Sequence, residues 1–165
     1  MSRQPVNVHV QLYRKNNKGE YEYAIFQRAD NPLWWQGVSG GLEEGESPEE
    51  AALRESFEEA GTLKDSTIYP LETVSYLPKN LFSSLDLWSE DIIVLPMYFF
   101  ALPVDIDFII SLSNEHTAVR WLEYYEAEAL TYFHDQKTAL WELNERLLKE
   151  KLLHQKVIND TIPIK

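Results

Sequence analysis

The chain has 165 residues, 44% of them hydrophobic and 25% charged, which is the composition of an ordinary globular protein with one domain over residues 1–165. Its formal net charge of −12 argues against binding to nucleic acid polymers, because phosphate backbones are held mainly by clustered lysine and arginine. The absence of cysteine excludes thiolate metal sites, and no signal peptide or membrane-length apolar run is visible, so we expect a soluble cytoplasmic protein.

The chain begins with a predicted β-hairpin. Valine and leucine alternate with polar residues over 6–12, which is the period of a half-buried strand. A turn over residues 16–19 and an extended run over 21–28 complete the hairpin over 6–28. His9 falls on the polar face, either as an ordinary strand histidine or as a residue lining a pocket.

The loop that follows the hairpin, residues 29–36, contains the adjacent tryptophans Trp34 and Trp35. Planar aromatic rings stack on bases and pterins, so one ring is expected to cover a ligand unless both pack in the core. We assign Trp35 to the substrate site. Arg28 is assigned to the same site as a phosphate ligand, with a surface salt bridge as its alternative.

A helix is predicted over residues 48–60. Ser47 is a good N-cap, Pro48 suits the first helical position and Glu50 stands three residues after the cap, the spacing of a capping box. Gly61 is a typical residue at the end of a helix. No helix breaker lies between the two ends.

Three glutamates of this helix, Glu55, Glu58 and Glu59, fall within an arc of about 100°. They repel one another, and Arg54 neutralises only part of the charge through Glu58 at i+4. A hard divalent cation such as Mg²⁺ would offset the rest through oxygen ligands. The alternative is a solvated acidic helix face.

The full pattern of residues 40–62 favours the metal site. Gly40, Glu46, Arg54-Glu55, Glu58-Glu59 and Gly61 match G-x5-E-x7-R-E-x2-E-E-x-G at every named position. This stretch resembles the signature box of the Nudix hydrolases. The two positions that are usually bulky and aliphatic in that box are Ser56 and Thr62 here. Short patterns over 27–32, 35–40, 115–116 and 121–122 are similar to the bacterial branch that hydrolyses dATP and dihydroneopterin triphosphate.

Two more strands are predicted after the box, over residues 71–77 and 92–102, separated by residues 79–91 as an ordered lid or a dimer contact. Residues 117–122 read as a short strand, 123–130 as a short helix and 135–153 as a longer helix with a leucine stripe. The tail over 154–165 lacks periodicity and either frays or docks on a neighbour.

The resemblance implies an α+β fold with a mixed sheet sandwiched between helices. It also implies a Mg²⁺-dependent pyrophosphohydrolase, with Mn²⁺ as a substitute, that acts on a nucleoside triphosphate or a related small phosphorylated compound. The implied metal ligands are the carbonyl of Gly40 and the carboxylates of Glu55, Glu58, Glu59 and Glu115, while Arg54 orients a box glutamate.

Several assignments stay open. Glu115 could be an ordinary loop glutamate, and His116 a substrate or water contact. Glu46 is either a supporting ligand or an anchor of the box loop. Glu55 and Glu115 are both candidates for the general base. Dinucleoside polyphosphates, ADP-ribose and nucleotide sugars are alternative substrates, and a nucleotide-binding module without catalysis is an alternative function.

Overall fold

Strand β1 is the centre of the fold. The computed structural model describes residues 3–82 and 87–150, which form seven strands and three α-helices. In chain order these are β1 Arg3–Lys15, β2 Tyr21–Arg28, β3 Trp35–Gln36, β4 Val38–Glu43, α1 Pro48–Ala60, β5 Tyr69–Pro78, β6 Val94–Pro103, β7 His116–Leu122, α2 Tyr124–Leu130 and α3 His134–Leu148.

The sheet is mixed. Its main order is β3-β2-β1-β6-β5, with β4 added on β1 and β7 added on β2. Strands β1 and β6 run parallel, with Val8 opposite Tyr98, and the other pairs are antiparallel. Helix α1 packs on one face, and α2 and α3 pack on the other. This arrangement confirms the predicted α+β fold.

The prediction that β1 is half-buried was wrong, because both faces of the sheet are covered. Val8, Val10 and Leu12 belong to the core under α1 and are fully buried. The polar residues between them are buried as well: His9 is 1% exposed and packs 5.0 Å from the ring of Phe99. A central strand between two helical layers has no solvated side.

Helix α1 begins and ends as its sequence predicts. The Ser47 hydroxyl accepts the Glu50 N–H at 3.1 Å, and the Glu50 carboxylate accepts the Ser47 N–H at 2.9 Å. Gly61 has φ 80°, and its N–H donates to the Phe57 carbonyl. Ser56 and Thr62 are both buried, and neither hydroxyl has a hydrogen-bond partner in the described part of the chain.

Helix α3 is shorter than predicted. It ends at Leu148 because Lys149 and Glu150 form a turn in which Glu150 has φ 54°. Residues 151–153 and the predicted tail 154–165 lie outside the described residues. Of the predicted lid, residues 79–81 form a 3₁₀ turn, and the Trp88 indole donates to the Arg3 carbonyl at 2.8 Å. Residues 83–86 also lie outside the described residues.

No helix in the described ranges is both long and apolar enough to span a membrane.

Candidate active site

Two glutamates on the inner face of α1 form the centre of the candidate site. Glu55 is 9% exposed and Glu59 is 1% exposed, because this face of α1 packs against β4. Gly40 of β4 lies directly opposite: a Cβ atom built on it would be 2.1 Å from the Glu55 Cδ. The absence of a side chain at residue 40 is therefore what gives the Glu55 carboxylate its place.

Burial shifts the ionisation of both carboxyls. It raises the pKa of Glu55, and together with the neighbouring Glu55 carboxylate and the charge of Glu115 it raises the pKa of Glu59 to about 10. Neither Glu59 oxygen has a hydrogen-bond partner among the described residues. Two adjacent buried carboxyls, of which Glu59 has no hydrogen-bond donor, fit the ligand requirements of a divalent cation, which would supply positive charge.

Arg54 holds the box loop and the helix together. Its guanidinium donates to both oxygens of Glu46, at 2.6 and 2.9 Å, and to the Gly41 carbonyl at 2.8 Å. It also donates to Glu55 at 3.0 Å and to Glu58 at 3.4 Å. The hydrogen bonds from Arg54 lower the pKa of Glu46. Glu46 thus anchors the loop, and Arg54 fixes the orientation of Glu55.

Glu58 and Glu115 are more exposed than Glu55 and lie outside the buried pair. The Glu58 side chain is 52% exposed and faces Arg54 rather than the buried pair. Glu115 is exposed on the loop before β7, and its backbone carbonyl accepts the Ala29 N–H. Within residues 3–82 and 87–150, no three His, Asp or Glu side chains form a ready-made metal site. Glu58 and Glu115 would have to turn inward to reach a cation held by Glu55 and Glu59.

His116 lies behind the buried pair. Its Nδ1 is 3.8 Å from Glu59 Oε1, close enough for an ion pair. However, burial lowers the pKa of His116 to about 4 and raises that of Glu59, so the charged form of each group is disfavoured. The contact is therefore one between a neutral imidazole and a neutral carboxyl group. His116 also packs on Phe26, with ring centroids 5.0 Å apart.

A cleft with two compartments opens beside these residues. The polar compartment has a volume of 410 Å³, and its wall includes Arg3, Arg28, Gly40, Glu115 and His116. The second compartment, of 270 Å³, is mainly apolar and is lined by Trp34, Phe82, Met97 and Phe133, with Asp135 and Gln136 as polar groups. The two are continuous, since both are bordered by Asn7, Arg28, Gln36, Ser39, Leu81 and Phe82.

The two aromatic rings of the 29–36 loop take different places. Trp34 lines the apolar compartment, whereas Trp35 packs against the core under α3. The assignment of Trp35 to the substrate site is thus corrected. Trp35 pairs with Gln27 across β2 and β3 and therefore points to the same face of the sheet as Ile25, in that core. Arg28 borders both compartments and forms the alternative salt bridge, to Asp30 at 2.5 and 2.8 Å.

Comparison with known proteins identifies the family. The NUDIX domain model matches residues 4–142, which include all of α1 and all of the sheet except Arg3 at the start of β1. The chain belongs to the Nudix family. Nudix pyrophosphohydrolases cleave phosphoanhydride bonds and generally use divalent metal ions, and the buried carboxylates of α1 are consistent with that chemistry.

Two curated Nudix relatives differ in substrate. The asymmetrical bis(5'-nucleosyl)-tetraphosphatase of Sus scrofa is 33% identical over 131 residues, covering 79% of this chain and 84% of the relative. The dihydroneopterin triphosphate diphosphatase of Escherichia coli K12 is 30% identical over 138 residues, which cover 78% of this chain and 85% of the relative. One relative is therefore an enzyme of the predicted branch that hydrolyses dihydroneopterin triphosphate, and the other acts on dinucleoside polyphosphates, which the sequence analysis gave as an alternative substrate class.

Solved Nudix structures share the fold. A protein described as a NUDIX hydrolase from Listeria monocytogenes is 34% identical, with a TM-score of 0.81 over 92% of this chain and 99% of its own. The E. coli dihydroneopterin triphosphate pyrophosphohydrolase is 27% identical, and the two structures superpose with a TM-score of 0.69 over 87% of this chain and 99% of the E. coli chain.

The sequence analysis does not single out most of the residues that line the cleft, and two of these matter most for the site. Arg3 stands three residues before the first alternating valine, and Trp34 is one of two adjacent tryptophans of which the other, Trp35, is assigned to the substrate. The strand alternation of the Trp34-Trp35-Gln36 segment could have separated the two tryptophans. No local sequence signal marks Arg3, whose position in the cleft depends on the sheet.

Proposed function

We propose that this Nudix enzyme hydrolyses the phosphoanhydride chain of a triphosphate attached to a planar heterocycle, such as dATP or dihydroneopterin triphosphate, and releases pyrophosphate. The observation that carries the proposal is the position of the buried Glu55–Glu59 pair beside a cleft whose second compartment is aromatic. Carboxylates and an aromatic wall are the two parts needed for a metal-bound polyphosphate and a stacked ring.

Glu55 and Glu59 would hold Mg²⁺ or Mn²⁺, with Glu58, Glu115 and the Gly40 carbonyl as the remaining ligands. When bound, the ion supplies positive charge to the phosphate oxygens and lowers the pKa of water. Arg54 keeps Glu55 in place during the reaction through its hydrogen bond of 3.0 Å. The role of Arg28 is to bind phosphate, for which it would exchange its exposed Asp30 partner.

In the reaction, the oxygen of water forms a bond to phosphorus while the bridging P–O bond of the anhydride breaks and its electrons pass to the oxygen of the leaving group, so that the products are pyrophosphate and a monophosphate. The proton of that water goes to a carboxylate. Glu55 is one candidate, because its buried surroundings and Arg54 control its ionisation, and Glu115, which lines the polar compartment, is the other.

The second candidate substrate is a dinucleoside polyphosphate. It is favoured by the 33% identity to the asymmetrical tetraphosphatase of Sus scrofa. Such a substrate places a second nucleoside beyond the phosphate chain, so it needs the exposed rim of the polar compartment as well as the aromatic one.

A product analysis tests the proposal. The purified protein is incubated with dATP, dihydroneopterin triphosphate, diadenosine tetraphosphate and ADP-ribose, with Mg²⁺ and then with chelator. We expect metal-dependent pyrophosphate and a monophosphate from one of the two triphosphates. Preferential cleavage of diadenosine tetraphosphate to ATP and AMP would transfer the assignment to the second candidate. No turnover of any triphosphate would overturn the first.

A further inference from the structure

Arg3 lines the polar compartment of the cleft, and its guanidinium is packed against several neighbours. Its guanidinium carbon lies 5.2 Å from the ring centroid of Phe82 and 5.8 Å from that of Trp88. A terminal nitrogen donates to the Asn7 side chain. The guanidinium also lies over Gly41, where a Cβ atom would come within 1.6 Å of Nε. Aromatic stacking, a hydrogen bond and a glycine opposite together fix the position of this cation.

The fixed guanidinium faces the polar compartment. It shares that wall with Ser39 and Gly40, while Glu115 and His116 line the same compartment. Burial lowers the pKa of Arg3, and the nearby charge of Glu55 opposes that shift. Arg3 is therefore placed with the residues to which we assign the phosphate chain, and it does not line the apolar compartment.

The charge of Arg3 is not balanced by an ion pair within the described chain. Arg14, Arg28 and Arg54 each contact a carboxylate at 3.0 Å or less, but no such contact exists for Arg3 among residues 3–82 and 87–150. Its Nε is buried and has no acceptor there. A half-buried guanidinium without a carboxylate partner, in a chain of net charge −12, is an arrangement that an anion would complete.

We propose that Arg3 binds a phosphate group of the substrate and that Phe82, Trp88 and Gly41 serve to hold its guanidinium for that contact. The inference rests on the proposed function, because it takes the ligand to be a polyphosphate. Arg3 acts in binding: it contacts phosphate oxygens and takes no proton in the reaction. The alternative is a purely structural role, in which the cation only packs on the two rings.

Arg14 provides a matched control on the same strand. Like Arg3 it stacks on a tryptophan, with its guanidinium carbon 4.2 Å from the Trp121 ring, but it is paired with Glu22 at 2.8 Å. We expect Arg3→Gln to weaken pyrophosphate binding, measured by titration calorimetry with Mg²⁺, by about tenfold or more. Arg14→Gln should change it by less than about twofold.

The kinetic constants KM and kcat distinguish a role of Arg3 in substrate binding from a purely structural role. Arg3→Gln should raise KM far more than it lowers kcat, and Arg3→Lys, which retains the charge but not the planar fork, should recover part of the loss. Unchanged pyrophosphate affinity in folded Arg3→Gln would overturn the proposal.

A measurement on the unmodified protein covers the case in which the variant does not fold. Phenylglyoxal modifies arginine side chains, and peptide mass spectrometry reports each site separately. Pyrophosphate with Mg²⁺ should slow modification of Arg3 several-fold and leave the exposed Arg120 unaffected. Equal rates at Arg3 with and without pyrophosphate would contradict the proposal. If Arg3 is protected but no triphosphate is hydrolysed, the proposed function fails while the phosphate contact stands.

Discussion

Gly40 and Glu55 occupy neighbouring positions so close that a methyl group on the glycine would overlap the carboxylate, with 2.1 Å between the built Cβ and Cδ. Gly40 does not have a positive φ, so the glycine is required for space and not for backbone conformation. This contact joins β4 to α1 and sets the depth at which Glu55 lies. Any side chain here must displace either the strand or the carboxylate.

Gly40→Ala is therefore expected to reduce turnover by about 100-fold, because it moves Glu55. Gly45→Ala is the control: Gly45 has φ 84°, and a Cβ atom built on it would have no other atom within 4 Å. That variant should lose about 1 kcal/mol of unfolding free energy from backbone strain while its turnover changes little. Full activity in Gly40→Ala would contradict the claim that this contact positions Glu55 for the reaction.

The Arg54–Glu46 pair should be strongly coupled. The two groups share two hydrogen bonds, and their side chains are only 20% and 17% exposed. A double-mutant cycle with Arg54→Gln and Glu46→Gln, measured by urea unfolding, should give a coupling energy of about 1–3 kcal/mol. The same cycle with Glu43, whose contact with Arg54 is 4.0 Å long, should give under about 0.5 kcal/mol. Equal coupling in both cycles would refute the anchoring role of Glu46.

His9 should make the fold sensitive to acid. Burial lowers the pKa of His9 to about 4, so the folded chain binds fewer protons here than the unfolded chain, whose pKa is about 6.5. Stability contributed by the neutral imidazole is present above about pH 6.5 and is lost as pH falls towards 4. We expect His9→Leu to gain stability relative to the wild type as pH is lowered from about 7 to 4.5. A difference in unfolding free energy that is independent of pH would contradict this.

The adjacent tryptophans should respond differently to substitution. Trp34→Ala removes an aromatic wall of the apolar compartment and should raise KM by about tenfold, with a small effect on stability. Trp35→Ala leaves a cavity in the core under α3 and should cost about 2–4 kcal/mol of unfolding free energy. KM and chemical denaturation of both variants test the assignment. If Trp35→Ala raised KM and Trp34→Ala did not, the substrate contact would belong to Trp35 instead of Trp34.

Local patterns predicted the parts of this protein whose structure depends on local interactions. Ser47, Glu50 and Gly61 predicted both ends of α1, because caps act within one turn. The spacing of Glu55 and Glu59 predicted that they share a face, and the fold brings them together against β4. The mixed sheet between helices followed from the family resemblance.

Features that depend on neighbouring elements were not predicted. The polar face of β1 is buried because α3 covers it, and alternation alone cannot show that a second helix is there. The pairing of Trp35 with Gln27 of β2 directs its side chain to the core under α3. Arg3 lines the cleft because β1 begins at this residue, where it pairs with Glu43 of β4. Glu58 is a different case: its side chain is 52% exposed, and its contact with Arg54 lies within α1 and was predicted from the i+4 spacing.

The most direct test of the buried glutamate pair is the Mg²⁺-dependent turnover of Glu59→Gln compared with that of Glu49→Gln. Glu49 is in the first turn of the same helix and outside its buried face, so its substitution controls for lost charge on α1. We predict a loss of at least about 100-fold for Glu59→Gln and almost none for Glu49→Gln. Turnover of Glu59→Gln equal to that of Glu49→Gln would contradict the assignment of α1 as the catalytic element.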